Sequence, residues 1–143
     1  MSMEQVIHLE YEVSGENFAS AGSASEDVKS HLKKLGVPSD DIRRIAIAMY
    51  EGEINMVIHA GGGKAYVDIY LDRVMIRLVD QGKGIADIKL AMQPGWSTAS
   101  EDVRSLGFGA GMGLPNMKKY TDEFTIESEV GKGTTVVMTV NLA

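Results

Sequence analysis

The stretch Gly107-Phe108-Gly109-Ala110-Gly111-Met112-Gly113-Leu114 places glycine at every second position and then runs into a short helical pattern with Pro115 in its first turn. Alternate glycines leave backbone N–H groups unshielded, and a helix start adds the positive end of its dipole, so the stretch is suited to anions such as phosphates. It is not a Walker A loop, because no Gly-Lys-Ser/Thr follows, and not a Rossmann fingerprint, because a long loop and not a strand precedes it. Taken alone, it also fits a loop in which glycine is merely permissive. The surrounding segment, Gln81 to Gly113, holds no long periodicity over more than thirty residues. That is too long for an ordinary connection and reads as a functional lid.

Upstream of the lid stands Asp80-Gln81-Gly82-Lys83-Gly84. A carboxylate at a strand exit, followed by two glycines, lets a flat ligand approach the backbone while the acid accepts a hydrogen bond. Many Asp-Gly turns merely reverse the chain. Further upstream, a helix from about Asp41 to Ala60 ends at Gly61-Gly62-Gly63. Ile42, Ile45, Ala46, Met49 and Met56 share one face, and Ile47, Ala48, Ile54 and Ile58 the other, so the helix is expected to be largely buried. Glu51 and Asn55 sit in its middle, four apart on one face. A buried carboxylate is costly unless paired or put to work; an acid satisfied by a backbone amide is the plain alternative. Glu53 points about 160–200° away, into the main apolar stripe, and the pattern offers no account of it. Gly52 weakens the helix by about 1 kcal/mol relative to Ala.

The other elements are a strand over Val6–Val13 and a helix N-capped by Ser25 and stopped by Gly36. A hairpin of Ala65–Leu71 and Val74–Val79 turns at Asp72-Arg73. After the lid come a short helix, Leu114 to about Tyr120, and a hairpin of Phe124–Val130 and Thr134–Leu142 around Gly131-Lys132-Gly133. This order predicts an α+β fold, a two-layer sandwich with a mixed, mostly antiparallel sheet and helices on one face. Its length predicts a single domain over 1–143.

Composition narrows the function. Sixteen glycines, against about ten expected from average usage, concentrate between Gly61 and Gly133, which excludes collagen-like triplets and flexible linkers. A net charge of −6 provides no footprint for nucleic acid or an anionic membrane and suits a basic or neutral protein partner. No cysteine is present, which removes thiolate chemistry and fits a cytoplasmic location. The N-terminus shows no signal-peptide pattern, and no apolar run is long enough to span a bilayer. His8, His31 and His59 share no ligand spacing. The nine methionines read as core and interface filler. Trp96 in the lid fits either a partner anchor or a nucleotide cover, and Ser97 and Thr98 beside it are loop hydroxyls.

Glu51-x-x-x-Asn55 on a helix, then Asp80-x-Gly82-x-Gly84, then a glycine-rich lid closing on a helix resembles the Bergerat nucleotide-binding fold of the GHKL superfamily. The likeness spans the chain from the first strand to Gly133-Thr134-Thr135. The short length directs it toward bacterial anti-sigma factor kinases (SpoIIAB and RsbW types) and switch-protein serine kinases. The stretches Gly109–Pro115, Asp122-Glu123-Phe124, Glu127-Ser128 and Gly131–Thr135 look more like the RsbT branch of the latter. A histidine-kinase fragment fits less well, since no phosphoacceptor helix pair is seen.

The resemblance implies ATP as substrate, with Asn55 holding Mg²⁺ and Glu51 as general base on the acceptor hydroxyl. It implies that Asp80 accepts from the adenine amino group, with Gly82 and Gly84 against the purine and Thr134 supporting that end. It places the phosphates on the lid run Gly107, Gly109, Gly111, Met112, Gly113 and Leu114. The implied activity is ATP- and Mg²⁺-dependent phosphorylation of a serine or threonine on a STAS-domain antagonist; the alternative is a nucleotide-gated anti-sigma factor that holds a sigma factor without phosphorylating it. Proteins of this type are often homodimers, and no feature of this sequence decides it. One departure stands out. The anti-sigma kinases carry a lid arginine just before the glycine box, whereas here Arg104 is seven residues before Gly111, and neither it nor Lys118 nor Lys119 is placed by spacing.

Overall fold

The computed structural model describes residues 5–15, 22–82, 84, 85, 92 and 113–143. Along the chain they form β1 (Gln5–Ser14), α1 (Ser23–Lys34), α2 (Ser39–Ala60), β2 (Gly62–Tyr70), β3 (Arg73–Asp80), α3 (Gly113–Lys119), β4 (Glu123–Glu129) and β5 (Gly133–Asn141). The strands make a five-stranded sheet in the order β1-β2-β3-β5-β4. The α+β expectation holds, and every pairing among the described strands is antiparallel rather than mixed. No described helix is long and apolar enough to cross a membrane.

Alternation of side chains sorts the two faces. Leu9, Val67, Ile76, Met138 and Phe124 stand side by side across all five strands. So do Tyr11, Ala65, Leu78, Val136 and Ile126. These rows form the floor of the core, with Val67, Ile76 and Met138 fully buried. The opposite face is polar, where Arg77 stacks 4.4 Å over the Tyr66 ring and Arg73 4.1 Å over Tyr70. On that face His8 is held between Asp68 and Glu10, whose hydrogen bonds, Asp68's first, raise its pKa.

Helix α2 lies on the buried face, flanked by α1 and α3. This is why it is apolar nearly all round: Ile45 and Met49 are wholly buried, and Ala48, Ile54 and Val57 are covered as well. Each such large aliphatic side chain contributes about 1.5–3 kcal/mol by leaving water. Gly52 also finds its reason. A Cβ there would lie 2.0 Å from Leu78 Cδ1, so the glycine lets α2 settle onto β3. At the helix end Gly61 alone is the stop. It takes φ 71°, a left-handed conformation that glycine adopts freely, and its N–H reaches Met56 O. Gly62 and Gly63, expected as breakers, already belong to β2.

The structure accounts for Glu53. Only 2 % exposed, it reaches across to the start of α1. Its carboxylate accepts the backbone N–H groups of Gly22 at 3.0 Å, Ala24 at 3.4 Å and Ser25 at 2.6 Å. A carboxylate from α2 thus satisfies the orphan donors of another helix. Ser25 is therefore not the N-cap. Gly22 holds that position, and the Ser25 hydroxyl donates back to Gly22 O at 2.9 Å.

Candidate functional site

Asp80 ends β3 on the same face as Val74, Ile76 and Leu78, so it emerges on the helix side of the sheet. Its Oδ1 accepts the N–H of Gly82 at 2.9 Å and of Thr134 at 3.2 Å. Oδ2 accepts nothing from any described residue, which leaves one oriented oxygen on a half-buried, anchored carboxylate. The turn presses against the end of α2: a Cβ on Gly82 would lie 2.7 Å from Ala60 Cα. A Cβ on Gly133 would lie 2.1 Å from Asp80 O, and its φ of 129° also favours glycine. Gly84 approaches Glu129 O as closely, its would-be Cβ at 2.3 Å.

Ser128 completes this end, although the sequence reading assigned it no role. Its hydroxyl accepts from Ile85 N at 2.7 Å and donates to Gly133 O at 3.1 Å. With its one proton so used, the 2.7 Å contact with Thr134 Oγ1 has Thr134 donating. The signal was available in the hairpin, since the Gly131–Gly133 turn sets Ser128 opposite Thr134. Asp80, Gly82, Gly84 and Thr134 are thus assembled at one end of the sheet.

The second group lies under α3. A Cβ on Gly113 would sit 2.6 Å from Asn55 Oδ1 and 2.9 Å from its Nδ2, so the helix starts directly on the Asn55 amide. One turn earlier on α2, Glu51 bonds the Asn116 side chain. Burial pushes the Glu51 carboxyl above its ordinary pKa, and the Asn116 hydrogen bond opposes that only in part. Asn116 escaped the sequence reading; it stands one turn after Gly113 on the helix that the lid feeds. Leu114 turns its side chain into the core with Met117 and brings only its backbone to this region. Asn55 and Ala60 are separated by roughly 7.5 Å along α2, so the two groups share one helix as their base.

Gly107, Gly109, Gly111 and Met112 lie outside the described residues, as do Arg104, Trp96, Ser97 and Thr98. Lys118 is exposed, and Lys119 places Nζ 5.3 Å from the centre of the Tyr120 ring.

A five-stranded antiparallel sheet with helices on one face and an acid turn beside a polar helix ridge is an ATPase fold of the GHKL type. The chain belongs to the histidine kinase-like ATPase domain family, whose model matches residues 17–140. It is 36% identical over 117 residues to an anti-sigma F factor of Caldanaerobacter subterraneus subsp. tengcongensis, covering 78% of each chain. It is 36% identical over 108 residues to the serine/threonine-protein kinase RsbT of Bacillus subtilis, covering 73% of this chain and 75% of that one. An anti-sigma F factor of Geobacillus thermodenitrificans is 31% identical over 99% of this chain and 95% of its own. In fold, 96% of the chain superposes with TM-score 0.62 and 19% identity on a third of the crystal structure of the RsbU and RsbW domains of Rv1364c from Mycobacterium tuberculosis.

Proposed function

We propose that this protein is an ATP- and Mg²⁺-dependent serine/threonine kinase, one domain over 1–143, that phosphorylates a STAS-domain partner in a partner-switching circuit. The observation that carries the reading is the pair of polar groups based on α2: an anchored Asp80 whose Oδ2 has no partner among the described residues, and Glu51 and Asn55 beneath α3. In this reading Asp80 Oδ2 accepts from the adenine amino group, and Gly82, Gly84 and Thr134 keep that edge open. The lid run from Gly107 to Gly113 offers backbone amides to the phosphates.

The donor set fits Mg²⁺: Asn55 Oδ1 is a neutral oxygen of the kind a hard cation takes beside phosphates, and the missing side chain of Gly113 spares it a clash. Bound there, the ion would supply charge neutralisation on the phosphates. Glu51 accepts the proton of the partner's hydroxyl as that oxygen bonds the γ-phosphorus and the bond to the ADP oxygen breaks. Burial raises its pKa, which makes it a stronger proton acceptor than an ordinary carboxylate.

The test is label transfer from γ-labelled ATP to a STAS-domain protein. Glu51→Ala should bind ATP as wild type does and transfer nothing; equal transfer would remove Glu51 as the base. The naming of relatives as anti-sigma factors favours a second reading, a nucleotide-gated protein that holds a sigma factor. ATP-dependent complex formation without transfer would select it.

A further inference from the structure

On the far side of α2 from the sheet, the α1–α2 hairpin opens into a groove of about 500 Å³. Its floor is apolar, from Val37, Ile42 and Ile47, and its rim carries Lys29, Lys33 and Arg43, with no carboxylate among the lining residues. Three cations around an apolar floor stand out on a chain of net charge −6. Lys29 and Lys33 form no ion pair with any described residue; the ion pairs nearby run from His31 to Asp27 and from Arg44 to Asp41 and Asp122. Arg43 leans over the Tyr120 ring at 5.7 Å, which carries the basic rim toward α3. Along α2, Ile47 lies one turn before Glu51 on the same side. The groove therefore leads from the α1–α2 turn toward the carboxylate named above as the base.

We infer that this groove is the docking site for an acidic amphipathic segment of the protein whose hydroxyl is phosphorylated, the apolar side of the segment on Val37, Ile42 and Ile47 and its carboxylates on Lys29, Lys33 and Arg43. The inference deepens the kinase reading and rests on it for the identity of the partner. It also reverses what net charge suggests. The chain as a whole suits a basic or neutral partner, but this groove selects an acidic one, because charge acts over about a Debye length of 8–10 Å and not over the whole molecule.

The test uses the full chain with Lys29→Glu/Lys33→Glu, a change on the α1 rim that touches neither Asp80 nor Glu51. The probe is a fluorescein-labelled amphipathic helix built of Leu and Glu, followed by anisotropy. Wild type should bind it at least about tenfold more tightly than a Leu/Lys counterpart and than a Glu/Ser peptide, with affinity falling as salt rises, and the double variant should lose about tenfold or more. ATP affinity of the variant should stay at the wild-type value, which shows that it folds. With a partner that accepts label, the variant should raise KM and leave kcat in place. Equal binding of the Glu/Ser peptide, no binding of the Leu/Glu helix by wild type, or an unchanged KM would overturn the docking site. Absence of transfer with wild type would instead count against the kinase reading, and the peptide result would still decide the groove.

Discussion

Glu51 and Glu53 stand two residues apart on α2, and the observed anchoring of Glu53 and the base role proposed for Glu51 can be separated by two conservative variants. Glu53 is buried and accepts three backbone N–H groups at the start of α1. In Glu53→Gln one oxygen can keep the Gly22 and Ala24 donors, but the new NH₂ then faces the Ser25 N–H, a donor against a donor. The charge assistance of the remaining bonds is lost as well. A hydrogen bond to a charged group contributes about 1.5–3 kcal/mol and a neutral one about 1, and an unsatisfied buried donor costs about 1–3. Fraying of the first turn of α1 into water recovers part of this, so a loss of about 2–4 kcal/mol is expected. With an m-value of about 1–3 kcal/mol/M, the urea midpoint should fall by roughly 1–2 M. Glu51→Gln should behave differently. Burial disfavours the Glu51 charge, and the neutral isostere removes that penalty, so stability should change by under about 1 kcal/mol. In transfer assays the order inverts: Glu51→Gln abolishes the reaction, while Glu53→Gln retains it at temperatures where the variant is folded. Equal midpoint shifts for the two variants, or a Glu53→Gln shift below about 0.5 kcal/mol, would refute the division between an anchoring and a reacting carboxylate.

Because Glu51 is raised, the folded state binds its proton more tightly than the unfolded one. Wild-type stability relative to Glu51→Gln should therefore decline as pH rises from the ordinary carboxylate range through the raised value, and a flat difference across that window in urea titrations would contradict the assignment. Asp122 shifts the other way, held low first by the Asn141 backbone N–H and then by Arg44. Asp122→Asn should cost about 0.5–1 kcal/mol near neutral pH, a modest figure because the side chain is partly exposed, and the difference should fade as pH falls from the ordinary aspartate range through the lowered value; its persistence in acid would point to packing instead of charge. Gly113→Ala should weaken Mg²⁺-ATP binding by displacing the Asn55 amide, whose oxygen lies 2.6 Å from the added Cβ; unchanged affinity by calorimetry would separate Asn55 from the ligand. Asp80→Asn should weaken ATP binding by about 1–3 kcal/mol through loss of a charged acceptor, and an equal affinity would remove Asp80 from the adenine role.

Much of the fold was legible in the chain because it rests on local rules. Alternating Val, Ile and Leu in β2 and β3, the apolar run of α2 and its end at the Gly61-Gly62-Gly63 run are set by periodicity and by glycine's freedom of φ, although only Gly61 caps the helix. The spacing of Glu51 and Asn55 on one helix, and the acid turn at Asp80, could be read for the same reason: each is a short-range pattern with a chemical consequence. What could not be read were contacts between residues remote in sequence. Glu53 looked anomalous inside an apolar stripe because its partners begin at Gly22, on another helix. Asn116 and Ser128 carry no pattern of their own and acquire roles only from α3 packing on α2 and from the register of the β4–β5 hairpin. Gly52 looked like a weakness of α2 until Leu78 was set against it. The basic groove, too, needs α1 and α2 folded side by side before Lys29, Lys33 and Arg43 surround one apolar floor. Sequence alone determined the elements and the candidate chemistry, because propensity and periodicity act over a few residues. Tertiary structure decided which carboxylate is anchored to backbone N–H groups and which is left half-buried beside Asn116, because burial and hydrogen-bond satisfaction depend on what the rest of the chain brings alongside.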